Sequence, residues 1–211
     1  SKFFACLLTF CAGFVDAYTF IERGGTLVAG QTGNVVFLSV ELINHEAREI
    51  EVKLATMLAF MLGIFLMTVF QNLFEKSWWR LSSIVPLILV SSIIGFLPGN
   101  FANIYIVPPL GFCMGLVATA FGEVDGIAYN NSFMTGNLKK TMVAFGTYVR
   151  TKKIPYLEEG LFFVALLASF VTGSIVSTYL IQFWYLRTIW LVSLILSAFL
   201  IFRLTQYLRR R

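Results

Sequence analysis

The stretch AGQTGNVVFL, residues 29–38, places a polar Thr-Gly-Asn motif directly before an apolar segment, and SFMTGNLKKT, residues 132–141, repeats the motif. Threonine and asparagine favour helix starts, where their side-chain oxygens accept hydrogen bonds from exposed backbone N–H groups. Glycine lets the backbone turn sharply or approach another group closely. We therefore expect each motif to precede a helix that starts at membrane depth, where irregular backbone must be buried in protein or line a wet cavity.

The composition of the whole chain is that of a membrane protein. Its 211 residues are 58% hydrophobic and 13% charged, with a mean hydropathy of +0.80, whereas soluble domains carry about 25% charged residues. This predicts an all-α, polytopic helix bundle that forms a single membrane domain over residues 1–211, in the inner (plasma) membrane. Six apolar runs have roughly the length of about 20 residues that crosses a bilayer: 3–21, 54–74, 81–97, 103–121, 157–181 and 188–204.

The two halves of the chain resemble one another. CAGFV at 11–15 matches CMGLV at 113–117, and a Thr-Gly-Asn motif follows each cysteine after about 21 and 22 residues. Further along, F-x-x-G at 60–63 matches F-x-x-G at 170–173. Because these features keep their order and nearly their spacing, we expect an internal duplication in which each half reads helix, Thr-Gly-Asn segment, helix, helix.

The number of membrane crossings decides how the repeats are related. The segments that contain the motifs, about 26–43 and 127–149, begin with polar residues. If neither segment crosses, the protein has six spans and inverted repeats; if both cross, it has eight spans and parallel repeats. Six spans with cytoplasmic termini keep most Lys and Arg residues inside, as the positive-inside rule requires. We therefore favour inverted repeats, about 1–98 and about 103–205, each with three spans and a re-entrant half-helix, over the eight-span alternative.

Asp16 places a carboxylate inside the first apolar run. A charge at that depth is costly, so it normally faces a partner or a cavity. Asp16 would either couple a proton, bind a cation or orient a substrate donor, or else hydrogen-bond to the turn at Thr32 and Asn34 or to Tyr18 and so fix the fold. Helix starts carry partial positive charge and bind anions or polar groups. Glu41, late in its segment, is expected to be solvated at the interface. The predicted solute-binding residues are Asp16, Thr32, Gly33, Asn34, Thr135, Gly136 and Asn137.

These residues favour a small transporter or channel-like protein for a small polar or anionic solute, with its site at the repeat interface near the bilayer midplane. The alternative is a non-transporting assembly or sensor protein in which the motifs only pack helices. No enzyme motif is present, and we expect no cofactor and no metal. The net charge of +5 is explained by membrane orientation rather than by nucleic acid. The expected partners are the lipid bilayer, an unknown solute and a possible second copy of the chain.

The elements GFVDAYTF, GQTGNVV, CMGLV and FMTGNL together resemble the YoaK-type family of bacterial multi-pass membrane proteins, whose function is unknown. The most specific matches are Gly13, Asp16, Ala17 and the motif at 32–34. The resemblance extends over essentially the whole chain and implies a membrane location, but no substrate. The family pattern usually places a Gln-Asn pair after the glycine of the second half, whereas this chain has Val-Ala at 117–118.

Overall fold

Helices make up most of the computed structural model, which describes residues 1–44, 47–71, 78–132 and 134–209. The all-α prediction is confirmed for these residues, apart from a short antiparallel hairpin in which β1 (Glu123–Val124) pairs with β2 (Ile127–Ala128). Two 3₁₀ helices, Asn103–Tyr105 and Tyr185–Ile189, precede α6 and α9. The α-helices are α1 (Lys2–Glu22), α2 (Gln31–Asn44), α3 (Ala47–Phe70), α4 (Trp78–Ser82), α5 (Ile84–Ile94), α6 (Val107–Ala120), α7 (Met134–Thr151), α8 (Ile154–Trp184) and α9 (Trp190–Leu208).

The long helices have the length and composition of membrane spans. Many of their large apolar side chains point outward and are exposed, among them Leu58, Phe65 and Leu194, as lipid-facing positions would be. The apolar stretch Arg80–Ile94 is shorter, and residues 72–74 of the predicted second span lie outside the described residues. Four stretches are long and apolar enough to cross a membrane: Lys2–Glu22, Ala47–Phe70, Asn103–Ala120 and Ile154–Gln206, the last containing α8 and α9.

Helices α1 and α8 cross at two glycines. A Cβ added to Gly13 would lie 2.2 Å from the carbonyl oxygen of Phe170, and one added to Gly173 would lie 2.1 Å from the carbonyl oxygen of Phe10. The hydroxyl of Ser174 also donates a hydrogen bond to the carbonyl of Gly13, at 3.0 Å. Only glycine permits backbones to approach this closely, which is a common way for membrane helices to pack.

Helices α3 and α6 cross in the same manner. A Cβ on Gly63 would lie 2.3 Å from the carbonyl oxygen of Phe112, and one on Gly115 would lie 2.3 Å from that of Phe60. Each of the two crossings therefore joins an F-x-x-G segment on one helix to an F-x-x-G segment on the other.

Contacts along α1 and α8 show that these helices run in the same direction. Near their starts, Ala5 shares an apolar cluster with Phe162. Near their ends, the phenol of Tyr18 donates a hydrogen bond to the carbonyl of Leu186, at 3.1 Å, and accepts one from the buried guanidinium of Arg23, at 3.5 Å.

Helices α3 and α6 run in the opposite direction to α1 and α8. Just after α1 ends, a Cβ on Gly24 would meet the side chains of Glu49, at 2.9 Å, and Asn103, at 3.1 Å; these residues lie at the starts of α3 and of the segment leading into α6. Met67, near the end of α3, clusters with Ala120, the last residue of α6. It follows that α1 and α6, which open the two halves of the chain, are antiparallel.

Helix α2 is joined to α3 by an ion pair between a buried lysine and a partly buried glutamate. The ammonium of Lys53 lies 2.6 Å from a carboxylate oxygen of Glu41, and the Lys53 side chain is only 1% exposed. The expectation that Glu41 is solvated is therefore wrong, because α3 supplies a buried cation beside it. The pair holds the end of α2 against the beginning of α3.

Candidate functional site

The first Thr-Gly-Asn motif lies inside the first turn of α2, which begins at Gln31, rather than before the helix. The buried side chain of Asn34 accepts a hydrogen bond from the backbone N–H of Leu27, at 2.8 Å, and donates one to the carbonyl of the same residue, at 2.5 Å. It also donates to the side-chain oxygen of Gln31, at 3.0 Å. Asn34 therefore does not cap the helix that follows it, as expected, but hydrogen-bonds to the backbone of Leu27, seven residues upstream. We call this arrangement an asparagine clamp.

The second motif repeats this clamp in the first turn of α7, which begins at Met134. The buried side chain of Asn137 accepts a hydrogen bond from the backbone N–H of Asn130, at 3.3 Å, and donates one to its carbonyl, at 2.5 Å. The sequence separation is again seven residues. Both asparagines therefore fasten the chain that leads into their own helix.

Asp16 holds the segment that precedes α2. One carboxylate oxygen accepts hydrogen bonds from the backbone N–H groups of Val28, at 2.8 Å, and Ala29, at 2.7 Å, and the other accepts from Gly30, at 3.0 Å. The side chain is buried, at 4% exposure. The sequence anticipated a partner for this carboxylate, but the partner is the backbone at 28–30 and not the side chains of the motif. As a result α2 begins beside the interior of α1 rather than beside its end.

A cavity of about 390 Å³ lies between α1, α8 and the starts of α2 and α7. Both Thr-Gly-Asn motifs reach it, although about a hundred residues separate them in the chain. Of the predicted site residues, Asp16, Thr32, Gly33 and Thr135 line the cavity. The cavity is not lined by Asn34, Gly136 or Asn137. The side-chain amides of the two asparagines instead donate hydrogen bonds to the chain that precedes their own helices.

Sequence reasoning missed the contribution of α8 to this cavity. Phe170, Ser174 and Thr178 line one wall, and Ser132 lies just before α7 on another. The first three follow one another at intervals of four residues, which places them on one helix face. That spacing was visible in the sequence, but only the crossing with α1 determines that this face meets the cavity.

The polar character of the cavity comes from one carboxylate and several hydroxyls. Within the described chain, Asp16 is the only charged residue that lines the cavity. Neither the Thr32 nor the Thr135 hydroxyl is hydrogen-bonded to another described residue, so both are available to a bound molecule. The described residues contain no cluster of three or more His, Cys, Asp or Glu side chains that would hold a metal, and the single histidine, His45, lies outside them.

Comparison with known proteins places the chain in a sequence family. The model of the family described as "Protein of unknown function (DUF1275)" matches residues 4–202, which include Asp16 and both Thr-Gly-Asn motifs. No curated protein and no solved structure matches the chain. The YoaK-type resemblance and the bacterial origin stay predictions.

Proposed function

The chain belongs to the DUF1275 family of proteins of unknown function, and from its geometry we propose that it is a small integral membrane transporter or channel-like protein. The observation that carries the proposal is the shared cavity: Thr32 and Thr135, one from each motif, line it together with the buried carboxylate of Asp16. Concave sites with a few convergent polar groups are the usual places for small ligands. An intramembrane acid is a common mark of a solute or ion pathway.

We propose that the two halves are inverted repeats, about 1–98 and about 103–205. Three observations support this arrangement. The crossing of α1 with α8 has its counterpart in the crossing of α3 with α6, through F-x-x-G on all four helices. The asparagine clamps of α2 and α7 both contact the backbone of the residue seven positions upstream, Leu27 and Asn130 respectively. Finally, α1 and α6 are antiparallel, as the first helices of inverted repeats must be.

We further propose that each Thr-Gly-Asn helix is a re-entrant half-helix, which gives six spans rather than eight. Helix α2 has 14 residues, or about 21 Å at roughly 1.5 Å per residue, short of a hydrocarbon core of about 30 Å. The equally long α6 is extended by the 3₁₀ helix before it to the apolar stretch Asn103–Ala120, whereas among the described residues neither α2 nor the 18-residue α7 belongs to a stretch that is long and apolar enough to cross. Its start is tied to the interior of α1 through the contacts of Asp16. Its end is tied to the start of α3 through Glu41 and Lys53, at the same end of the bundle where α1 finishes.

Both termini then lie on one side of the membrane. The ring of Phe4, near the start of α1, stacks on that of Phe199 in the second half of α9, with ring centroids 3.7 Å apart. By the positive-inside rule, this side faces the cytoplasm. The membrane that we propose is the inner membrane of the cell. Alternating access to a central site between inverted repeats is the mechanism that such an arrangement supports.

The lining favours a polar solute over an anionic one. A carboxylate repels an anion, and in the described chain no basic side chain lines the cavity to offset it. The mechanism needs no cofactor, metal or catalytic group. The partners that we propose are the lipid bilayer and a second copy of the chain. We do not propose a nucleic acid as a partner.

The alternative function is a non-transporting assembly or sensor protein. The specific observation in its favour is that Asn34 and Asn137 both hydrogen-bond to the chain that leads into their own helices. In that case the motifs would only fasten α2 and α7, and the cavity would be filled by lipid chains rather than by water.

Cysteine labelling in reconstituted protein separates the two functions. Cys6, Cys11 and Cys113 are first replaced by alanine, and Thr32→Cys or Thr135→Cys is then introduced. We expect a charged, membrane-impermeant thiosulfonate reagent to modify both positions, because they line a wet cavity. The control is Leu194→Cys, which faces lipid and should not react. A lack of reaction at both cavity positions, with normal reaction after unfolding, would favour the structural alternative.

A further inference from the structure

We infer that the solute of this cavity is a small organic cation, an ammonium group on an apolar body. The inference rests on the proposed function and makes its substrate class specific. It starts from the charge of the lining: Asp16 is the only charged residue that the described chain places there. Its three hydrogen bonds all come from neutral N–H donors, and within the described residues no Lys or Arg forms an ion pair with it.

Comparison of the two motifs shows that a carboxylate is not required to hold such a turn. The CAGFV and CMGLV segments align Asp16 with Ala118, so the second half lacks the acid. There the side-chain oxygen of Asn130 accepts the backbone N–H of Ser132, at 2.8 Å, and the clamp of Asn137 is kept. A neutral local residue, Asn130, therefore helps to hold this turn through the N–H of Ser132, where Asp16 accepts three backbone N–H groups. The fold of this segment therefore does not depend on a negative charge, whereas the binding of a cationic solute does depend on the charge of Asp16.

Polar and apolar groups are distributed in the cavity as an ammonium ligand with an apolar body would require. One oxygen of Asp16 accepts a single N–H, which leaves it room for a further donor. The aromatic rings of Phe20 and Phe170 line the same space, and aromatic faces attract ammonium groups. Leu27 and Met134 add apolar surface for a carbon skeleton. The volume of about 390 Å³ lies near the lower end of the range of about 300–1,000 Å³ for small-molecule sites.

Three probes with one carbon skeleton test the charge preference: 3,3-dimethylbutylammonium, 3,3-dimethylbutan-1-ol and 3,3-dimethylbutanoate. Their binding to the protein in lipid nanodiscs is measured by calorimetry, with protein-free nanodiscs subtracted to remove partitioning into lipid. We expect the ammonium to bind most tightly and the carboxylate most weakly. In Asp16→Asn the ammonium should bind roughly 30-fold more weakly or worse, the loss typical of a partner removed from a buried charge pair, while the affinity of the alcohol changes by no more than about two-fold.

A second variant guards against misfolding of Asp16→Asn. Thr178→Lys introduces a cation into the cavity without changing the N–H contacts of Asp16. It should weaken the binding of the ammonium probe to a similar extent and leave the affinity for the alcohol nearly unchanged. Equal affinity of the alcohol and the ammonium for the wild-type protein would overturn the inference that the solute is a cation. It would not contradict the proposal that the cavity binds a solute. Binding of none of the three probes would also overturn it, and cysteine labelling at Thr135 would then report separately whether the cavity is wet.

Discussion

Replacing Asn34 with alanine tests whether the motif asparagines are structural clamps. The change removes both hydrogen bonds to the backbone of Leu27, one accepted at 2.8 Å and one donated at 2.5 Å, and the contact with Gln31 at 3.0 Å. Side-chain hydrogen bonds in membrane proteins contribute about 0.6 kcal/mol on average and up to about 1.7 kcal/mol. For the two bonds to Leu27 we therefore expect Asn34→Ala to lower the free energy of unfolding by about 1–3 kcal/mol.

The assay is reversible unfolding in mixed micelles, followed by the loss of helical circular dichroism as the denaturing detergent is increased. Asn137→Ala should show a loss of the same sign and somewhat smaller size, because its N–H contact is longer, at 3.3 Å, and it lacks a third bond. Asn44→Ala, at an exposed position at the end of α2, is the matched control and should change stability by less than about 0.5 kcal/mol. If Asn34→Ala were as stable as the Asn44→Ala control, the clamp would have no energetic role.

Three further changes probe other parts of the fold. Gly173→Ala should cost about 1–3 kcal/mol of stability, since its Cβ would lie 2.1 Å from a backbone oxygen of α1, whereas Gly146→Ala, which meets nothing within 4 Å, should be neutral or stabilising by up to about 1 kcal/mol; equal effects would contradict the crossing. Lys53→Met should cost up to about 3–5 kcal/mol by leaving the partly buried Glu41 unpaired, and adding Glu41→Gln should recover much of it; no recovery would mean that the pair is not coupled. Burial raises the pKa of the Tyr129 phenol above the ordinary tyrosine value of about 10. The folded state therefore keeps a proton that the unfolded chain releases, and stability is lost as the pH rises above that value; unfolding at pH 9 and 11 should show this loss in the wild type and less of it in Tyr129→Phe, and identical pH dependences would refute it.

Much of the helical fold could be predicted from the sequence, because apolar runs of spanning length leave little alternative in a bilayer. The F-x-x-G segments at 60–63 and 170–173 were also visible as a match between the halves. What the sequence could not show is that α1 crosses α8 and α3 crosses α6. Four similar segments can pair in several ways, and only packing of the whole bundle selects among them.

The chemical groups of the site could be predicted from the sequence. Which of them line the cavity and which hold the backbone could not. Asp16 was expected to face either a partner or a cavity, and the structure gives it both. Asn34 was assigned to solute binding, but the path of the chain at 27–30 brings a backbone peptide to its amide. Lys53 lies in a charged stretch, EIEVK, that looks like a solvated loop, so nothing in the local pattern indicated its burial beside Glu41.

The most direct test of a solute pathway between the two motifs is the sidedness of labelling at Thr135→Cys in oriented proteoliposomes. An impermeant thiosulfonate reagent is added to the outside alone or to the inside alone, with Leu194→Cys as the lipid-facing control. Alternating access predicts that Thr135→Cys reacts from either side while the control reacts from neither. Failure of Thr135→Cys to react from both sides, in protein that reacts fully once unfolded, would contradict a pathway through this cavity.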